Sequence, residues 1–281
     1  MMFDHMLPMD RRTYIDQWPS ELMRLSFATV LIKLSKQSRR DILNGSAHST
    51  GIGFEPNEER WLKFLDRLDQ AVSQFPDGAF VRLASRSPKD SWEGHRGGFR
   101  VRNGQDAMDR LLDSERIVED LHLDIRDNAT SYIAIREWRD IPLANEWRVF
   151  IHEGKIIGVS QYGYLDKLPK YEDLGGLRWA LDVWFTNELK PALHLNTVIA
   201  DVWLRQYQSA PRTFLWECKL IEINPFGAWT DPCLFDWRNE GSFRSQPYQI
   251  RTVYDDDLKR RALLSVGIDS MAIGTAGPEG A

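Results

Sequence analysis

The sequence predicts an α+β fold of helices and mainly antiparallel sheet, and two observations lead to this expectation. Strand patterns in the second half of the chain are joined by short turns, as at Glu153 and Gly154, which suits hairpins. Long helix patterns stand between groups of strands rather than between single strands. A doubly wound parallel sheet is therefore not expected.

In the first half of the chain, apolar spacing separates strands from helices. The apolar residues that follow Pro56 recur at intervals of three and four positions, so they form one stripe on an amphipathic helix that faces the core. β-branched residues predict short strands, and a polar, glycine-bearing stretch at 85–98 predicts a loop. In chain order we expect a strand at 27–34, a helix at 56–75, a strand at 80–83 and a helix at 105–119.

The second half of the chain reads as five strands and one long helix. We expect strands at 132–138, 146–151, 155–161, 197–204 and 213–224, with a helix at 174–189. From these elements we predict four regions. They are a flexible leader at 1–17, an N-terminal lobe at 18–130, a C-terminal lobe at 131–260 and a tail at 261–281.

Composition excludes several classes of protein. The 281 residues are 42% hydrophobic and 27% charged, which is typical of a globular chain with one or two domains. The 41 acidic and 36 basic residues leave a net charge of −5, whereas a dedicated binder of duplex DNA carries a basic surplus. We find no apolar run of the ~18 residues that a membrane span needs, and no signal peptide. A cytoplasmic protein without a membrane partner is the expectation.

Histidine and cysteine do not predict a metal centre. The six histidines are scattered along the chain. Cys218 and Cys233 lack the spacing of metal ligands, so we expect two reduced thiols, with a disulfide as the alternative.

Oxygen-bearing side chains gather instead near the end of the last long strand. Glu222 and Asn224 are two residues apart and therefore point to the same face of a strand. Asp201, in the preceding strand, could face them across the ladder. Carboxylate and amide oxygens suit a hard cation such as Mg²⁺. The alternative is a carboxylate at a strand end that caps a turn.

Three further segments carry cations or flat apolar surface. Arg148 projects from a rigid strand, where its planar fork could clamp a phosphate, or it could form an ion pair with Glu146 on the same strand. Arg82 and Lys89 precede a glycine-rich loop and could cover a polyphosphate, although a solvated loop would look the same. The apolar strand at 133–138 could border a purine, or it could be a buried strand without a ligand.

Five groups of segments follow one another along the chain: VRL with SPKD (81–90), IREW with EWRVFI (135–151), GVSQY (158–162), ADVW (200–203), and LIEINPFGAWTD with LFDW (220–237). In this order they resemble the cell division cycle protein 123 family, a branch of the ATP-grasp superfamily. The resemblance extends over about residues 18–237. It implies an ATP-grasp fold in which two lobes enclose a cleft that holds Mg-ATP.

The resemblance also implies roles for individual residues. Arg82 stands where the family has a lysine that reaches the ATP phosphates. Adenine and ribose would be bordered by Arg136, Glu137, Trp138 and Ile141. The terminal phosphates would be met by Arg148, and Mg²⁺ would be held by Asp201, Glu222 and Asn224. This chain departs from the family in the arginine at position 82, in a glutamate rather than an aspartate at position 222, and in lacking an aromatic residue after Leu83.

Two functions follow from this reading. The first is an ATP-dependent ligase, or another enzyme of phosphoryl or adenylyl transfer, in which Arg82 and Arg148 act catalytically by stabilising the transferred group. Its acceptor would be a peptide, a small carboxylate or an RNA end; the basic stretch at 36–40 and eleven tryptophans suggest RNA. The alternative is a non-catalytic ATP-binding chaperone, like the eukaryotic family members that assemble translation initiation factor 2.

Overall fold

The protein divides into two compact units, each with its own sheet. The computed structural model describes residues 10–46, 57–171, 173–211, 213–243 and 245–254. The N-terminal unit comprises residues 11–140, and the C-terminal unit comprises 1–10 and 141–281. The predicted α+β class with mainly antiparallel sheets is confirmed.

The N-terminal unit packs helices against a four-stranded antiparallel sheet with the order β1-β4-β2-β3. Its strands are β1 (Thr29–Lys33), β2 (Ala79–Leu83), β3 (Arg100–Val101) and β4 (Tyr132–Glu137). Its helices are α1 (Ser20–Arg24), α2 (Lys36–Gly45), α3 (Glu58–Val72), α4 (Trp92–Gly97), α5 (Gly104–Leu112) and α6 (Glu115–Arg126).

The amphipathic stripe predicted after Pro56 forms the centre of this unit's core. Phe64, Leu68 and Val72 of α3 are buried, and Trp61 and Leu65 pack against them. The same core contains residues from the sheet and from α5 and α6. The 3.6-residue period therefore identified the buried face correctly.

Several expectations for the N-terminal unit differ from the structure, and one is the loop predicted at 85–98, which contains α4. The predicted leader extends too far, because 3₁₀ turns at Arg11–Thr13 and Ile15–Gln17 begin the unit and Ile15 is buried. The predicted helix at 105–119 is two helices, since the Ser114 side chain accepts a hydrogen bond from the Ile117 N–H and starts α6. The lobe boundary falls after residue 140 rather than 130, because β4 pairs with β1 and β2. Residues 261–281, predicted as a tail, lie outside the described residues.

The C-terminal unit contains a five-stranded sheet with the order β8-β7-β5-β6-β9, antiparallel except for the β6–β9 pair. Its strands are β5 (Glu146–His152), β6 (Lys155–Gln161), β7 (Val198–Ala210), β8 (Thr213–Asn224) and β9 (Gln249–Arg251). Its helices are α7 (Leu174–Trp184), which continues into a π-helical turn (Phe185–Leu189), and α8 (Lys190–Ala192); 3₁₀ turns lie at Leu143–Asn145 and Glu240–Phe243.

The β7–β8 hairpin is longer than the sheet that supports it. Strand β5 pairs with β7 only as far as Trp203, and the remaining residues of β7, 205–210, are exposed. The predicted strand at 197–204 therefore ended too early. Beyond Leu204 the hairpin continues as a two-stranded ribbon.

An aromatic cluster fixes the chain that follows β8. Phe235 stacks on Phe243 with ring centroids 4.6 Å apart and contacts Phe150 of β5 at 5.1 Å. The guanidinium of Arg251 lies over the same Phe235 ring at 4.0 Å. This packing holds the loop after β8 against the sheet. Across the described segments, no helix has both the length and the apolarity that crossing a membrane requires.

Candidate functional site

Three neighbouring strands of the C-terminal unit place the predicted polar residues in one row. Arg148 of β5 lies opposite Asp201 of β7, and Asp201 lies opposite Glu222 of β8. The ladder shifts register next to Asp201, between Asp201 and Val202, which is a β-bulge. Bulges re-aim side chains and occur often beside functional sites. The prediction that Asp201 faces Glu222 across the ladder is confirmed.

The centre of the row is a buried ion pair. The Arg148 Nε and Nη2 atoms each donate to one oxygen of Asp201 at 2.8 Å, and both side chains are buried. Burial alone disfavours the charged guanidinium, but the Asp201 carboxylate outweighs it and raises the pKa of Arg148 above its ordinary value. The alternative prediction of an ion pair with Glu146 was wrong, because Arg148 contacts Asp201 instead.

Asn224 joins the two carboxylates of the row. Its Nδ2 atom donates to Asp201 Oδ2 at 3.0 Å and lies 3.4 Å from Glu222 Oε1. The two-residue spacing of Glu222 and Asn224 thus brings their side chains together, as predicted. Both residues are partly buried, at the end of β8.

The loop after β8 supplies residues that sequence reasoning did not assign to the site. The Asp231 carbonyl accepts a hydrogen bond from Arg148 Nη1 at 2.6 Å. The Asp231 side chain accepts from the Tyr164 hydroxyl at 2.9 Å and from the Cys233 N–H at 2.8 Å. An aspartate that accepts from the backbone two residues on is a common turn motif, so the Asp-Pro-Cys stretch held a usable signal.

The carboxylates of this cluster give it a surplus of negative charge. One guanidinium against the carboxylates of Asp201, Glu222 and Asp231 leaves two formal negative charges. The Asn224 amide nitrogen donates hydrogen bonds to the Asp201 and Glu222 carboxylates. The space between these two carboxylates therefore favours a hydrogen-bond donor or a cation. Among the residues the structure describes, no three His, Cys, Asp or Glu side chains are grouped closely enough to bind a metal unaided. A cation here would need the Asn224 oxygen and ligands from outside the protein.

The other predicted contact residues lie in the N-terminal unit, apart from Ile141, which begins the C-terminal unit. Arg82 is buried on β2 and donates to the carbonyls of Leu83 and Ser85 at 3.0 and 3.1 Å. Arg136 is buried on β4, where its Nη2 lies 2.6 Å from Ser26 Oγ.

The remaining predicted contacts of this unit are less deeply placed. Glu137 forms an ion pair with Arg139, and the Trp138 N–H donates to the Gly78 carbonyl at 3.1 Å. Lys89 lies in the segment of chain that joins β2 to α4, and it is partly buried. The structure thus brings Arg148, Asp201, Glu222 and Asn224 together, and it places Arg82, Lys89, Arg136, Glu137 and Trp138 in the other unit.

Comparison with known proteins identifies relatives of this chain. The D123 family model matches residues 32–265. The chain is 32% identical over 182 residues to cell division cycle protein 123 of Eremothecium gossypii, covering 61% of this chain and 48% of that protein. It is 28% identical over 190 residues to the translation initiation factor eIF2 assembly protein of Candida albicans, covering 61% and 51%. The chain spans about half the length of the curated relatives it matches.

A solved structure has the same fold. Cdc123 of Schizosaccharomyces pombe aligns with a TM-score of 0.66 at 20% identity, over 86% of this chain and 96% of the other. At this identity the comparison supports the fold and does not transfer a ligand or a residue role.

Proposed function

Because the chain belongs to the D123 family, we propose that it is an assembly factor for a translation initiation factor and binds Mg-ATP in that role. The observation that carries the first part is that the relatives include proteins named as eIF2 assembly proteins, in several yeasts. Assembly requires a protein partner, so the partner in this proposal is a subunit of such a factor.

The nucleotide part of the proposal is supported by the row of polar residues on β5, β7 and β8. Asp201, Glu222 and Asn224 would hold Mg²⁺, since they offer oxygen ligands on adjacent strands with a surplus of negative charge. When bound, the ion would neutralise charge on phosphate oxygens. An ATP-grasp type of nucleotide binding, with Arg82, Lys89, Arg136, Glu137, Trp138 and Ile141 as further contacts, belongs to the same proposal.

Arg148 is assigned a positioning role within this site. Three of its N–H groups are directed to Asp201 and to the Asp231 carbonyl. It therefore fixes the carboxylate that would meet the ion and the loop that follows β8. A direct phosphate contact would have to use its remaining N–H groups.

The nucleotide proposal predicts that Glu222→Ala/Asn224→Ala removes Mg-dependent ATP binding while the fold is retained. Both side chains are only partly buried at a strand end, so their loss should change folding little. Isothermal titration with ATP, with and without Mg²⁺, measures the effect, and circular dichroism checks the fold. Glu59→Ala, an exposed glutamate on α3, is the matched control. ATP affinity equal to wild type in the double variant would contradict the metal assignment.

A second experiment separates assembly from ligation. The chain is mixed with isolated eIF2 subunits from a yeast, and complex formation is measured by sedimentation with and without Mg-ATP. We expect complex formation with retained ATP. Release of phosphate or AMP from labelled ATP that depends on an added peptide, carboxylate or RNA end would instead support the ligase, and absence of any subunit complex would contradict the assembly role.

A further inference from the structure

The outer edge of β8 lies beside a groove that the nucleotide site does not use. Strand β8 is the last strand on its side of the five-stranded sheet, as far as the described residues extend. A groove of about 800 Å³ is lined by residues 214–219 of β8, by residues of α7 including Trp179 and Val183, and by Arg205 and Tyr207 of β7. Successive side chains of a strand point to opposite faces of the sheet. A groove that is lined by six consecutive residues, 214–219, therefore runs along the edge of the strand.

The walls of this groove expose several large apolar side chains. Trp179 on α7 is 63% exposed and Phe214 on β8 is 56% exposed, and Val183, Tyr207 and Leu215 are also exposed. Natural proteins usually protect a long apolar edge with charges, prolines or a covering element. Such an exposed edge with an apolar helix face beside it is typical of an interaction surface.

The charges at the middle of the edge indicate which partner fits. Glu217, Cys218 and Lys219 follow one another on β8, with a negative residue before the cysteine and a positive one after it. Glu217 also forms an ion pair with Arg205 across the hairpin at 2.8 Å. In two antiparallel copies of this strand centred on Cys218, each Glu217 lies opposite a Lys219. Centring on Glu217 or on Lys219 would place like charges opposite each other, which is destabilising.

We propose that two copies of this chain associate through β8, with antiparallel pairing centred on Cys218. A two-fold axis through the centre continues the sheet from one copy into the next and places both α7 helices on the same side of it. The exposed Trp179 and Val183 of one copy then face those of the other. The proposal accounts together for the position of β8 at the end of the described sheet and for the exposed apolar face of α7, and it does not depend on nucleotide binding.

Charge reversal tests both the dimer and its register. Lys219→Glu places two pairs of glutamates opposite each other. Arg205→Glu/Glu217→Lys keeps an ion pair across the hairpin with reversed signs but places two pairs of lysines opposite each other. Each variant alone should dissociate, with a dissociation constant raised by about tenfold or more. An equimolar mixture of the two restores opposite charges at both positions and should form a heterodimer as tight as the wild-type dimer.

Analytical ultracentrifugation of the full chain over a concentration series, with differently tagged variants for the mixture, gives the readout. Lys155→Glu, the same charge change at the exposed first residue of β6, is the control and should remain dimeric. Circular dichroism verifies that each variant is folded. A wild-type chain that is monomeric at all soluble concentrations overturns the proposal. So does a folded Lys219→Glu variant that dimerises like wild type, or a folded pair that does not recombine.

Discussion

At the scale of the residue, the candidate site depends on a charge pair that is removed from water. Arg148 and Asp201 are both buried and share two hydrogen bonds of 2.8 Å. Removing one partner of such a pair leaves an uncompensated charge in a medium of low polarity, which costs more than the pair itself contributes. The position therefore constrains folding as well as ligand binding.

We predict that Arg148→Ala lowers the free energy of unfolding by about 3–5 kcal/mol, because Asp201 would remain buried and unpaired. Arg126→Ala is the control: its ion pair with Asp127 is exposed and screened by water, so its loss should change the free energy of unfolding little. Urea denaturation of both variants measures the difference. Equal, small losses of unfolding free energy in Arg148→Ala and Arg126→Ala would show that Asp201 finds another partner. A nucleotide assay on Arg148→Ala would report mainly on folding, so Glu222 and Asn224 are the better positions for testing ATP.

Cys233 provides a prediction about alkaline pH. Burial raises the pKa of its thiol from about 9 to about 12, and nearby carboxylates add to this effect against the opposing charge of Arg148. The folded state thus holds this proton more tightly than the unfolded state. The stabilisation is complete below pH 9 and is lost progressively as pH rises toward 12.

The free energy of unfolding should therefore fall less steeply above pH 9 in Cys233→Ser than in wild type, since serine does not titrate there. Chemical denaturation at a series of alkaline pH values measures the two slopes. Parallel slopes would contradict the prediction. Both cysteines are free in the structure, which confirms the expectation of reduced thiols.

At the scale of the element, β6 approaches the aromatic cluster so closely that only glycine fits at one position. A Cβ atom on Gly158 would lie 2.7 Å from the Phe235 ring, which Phe150, Phe243 and Arg251 hold in place. We predict that Gly158→Ala destabilises the protein by about 1–3 kcal/mol through overpacking.

Gly175→Ala is the contrasting variant, because a Cβ there would meet nothing closer than 3.8 Å within the first turn of α7. It should be neutral or stabilise the protein by up to ~1 kcal/mol, as alanine is the better helix former. Thermal unfolding of the two variants measures the contrast. Similar losses of stability in both variants would indicate that the Phe235 ring can move, or that the first turn of α7 also requires glycine at position 175.

Local signals predicted most elements but not their exact limits. The β5–β6 hairpin and the apolar stripe of α3 follow from periodicity within a few residues. Short polar helices escaped notice because their starts are marked by single capping serines, Ser35 before α2 and Ser91 before α4. Such caps are visible in the sequence, but serine occurs in loops just as readily.

At the scale of the whole molecule, the sequence does not reveal which distant strands pair with each other. The alternation along β5 placed Glu146 and Arg148 on one face, and nothing local distinguishes Glu146 from Asp201 as the partner. Only the register of β5 on β7 selects Asp201, across a separation of 53 residues. The same holds for Asp231, which reaches Arg148 because the aromatic cluster fixes the loop after β8.

The division into units gives a last prediction, that residues 11–140 fold without the rest of the chain. This segment is continuous, closes a four-stranded sheet and contains a buried core from the sheet and from α2, α3, α5 and α6. Its length is ordinary for an independent domain. Urea titration of the fragment, followed by circular dichroism and tryptophan fluorescence, should give one cooperative transition in both signals.

The fragment 11–126 is the matched control for that experiment. It lacks β4, which pairs with both β1 and β2, so its sheet loses the strand that joins the other strands. Its hydrophobic core also loses Ile133 and Ile135. We expect this shorter fragment to show no cooperative transition. If the longer fragment also unfolds without cooperativity, its core is insufficient alone and its folding depends on residues of the C-terminal unit.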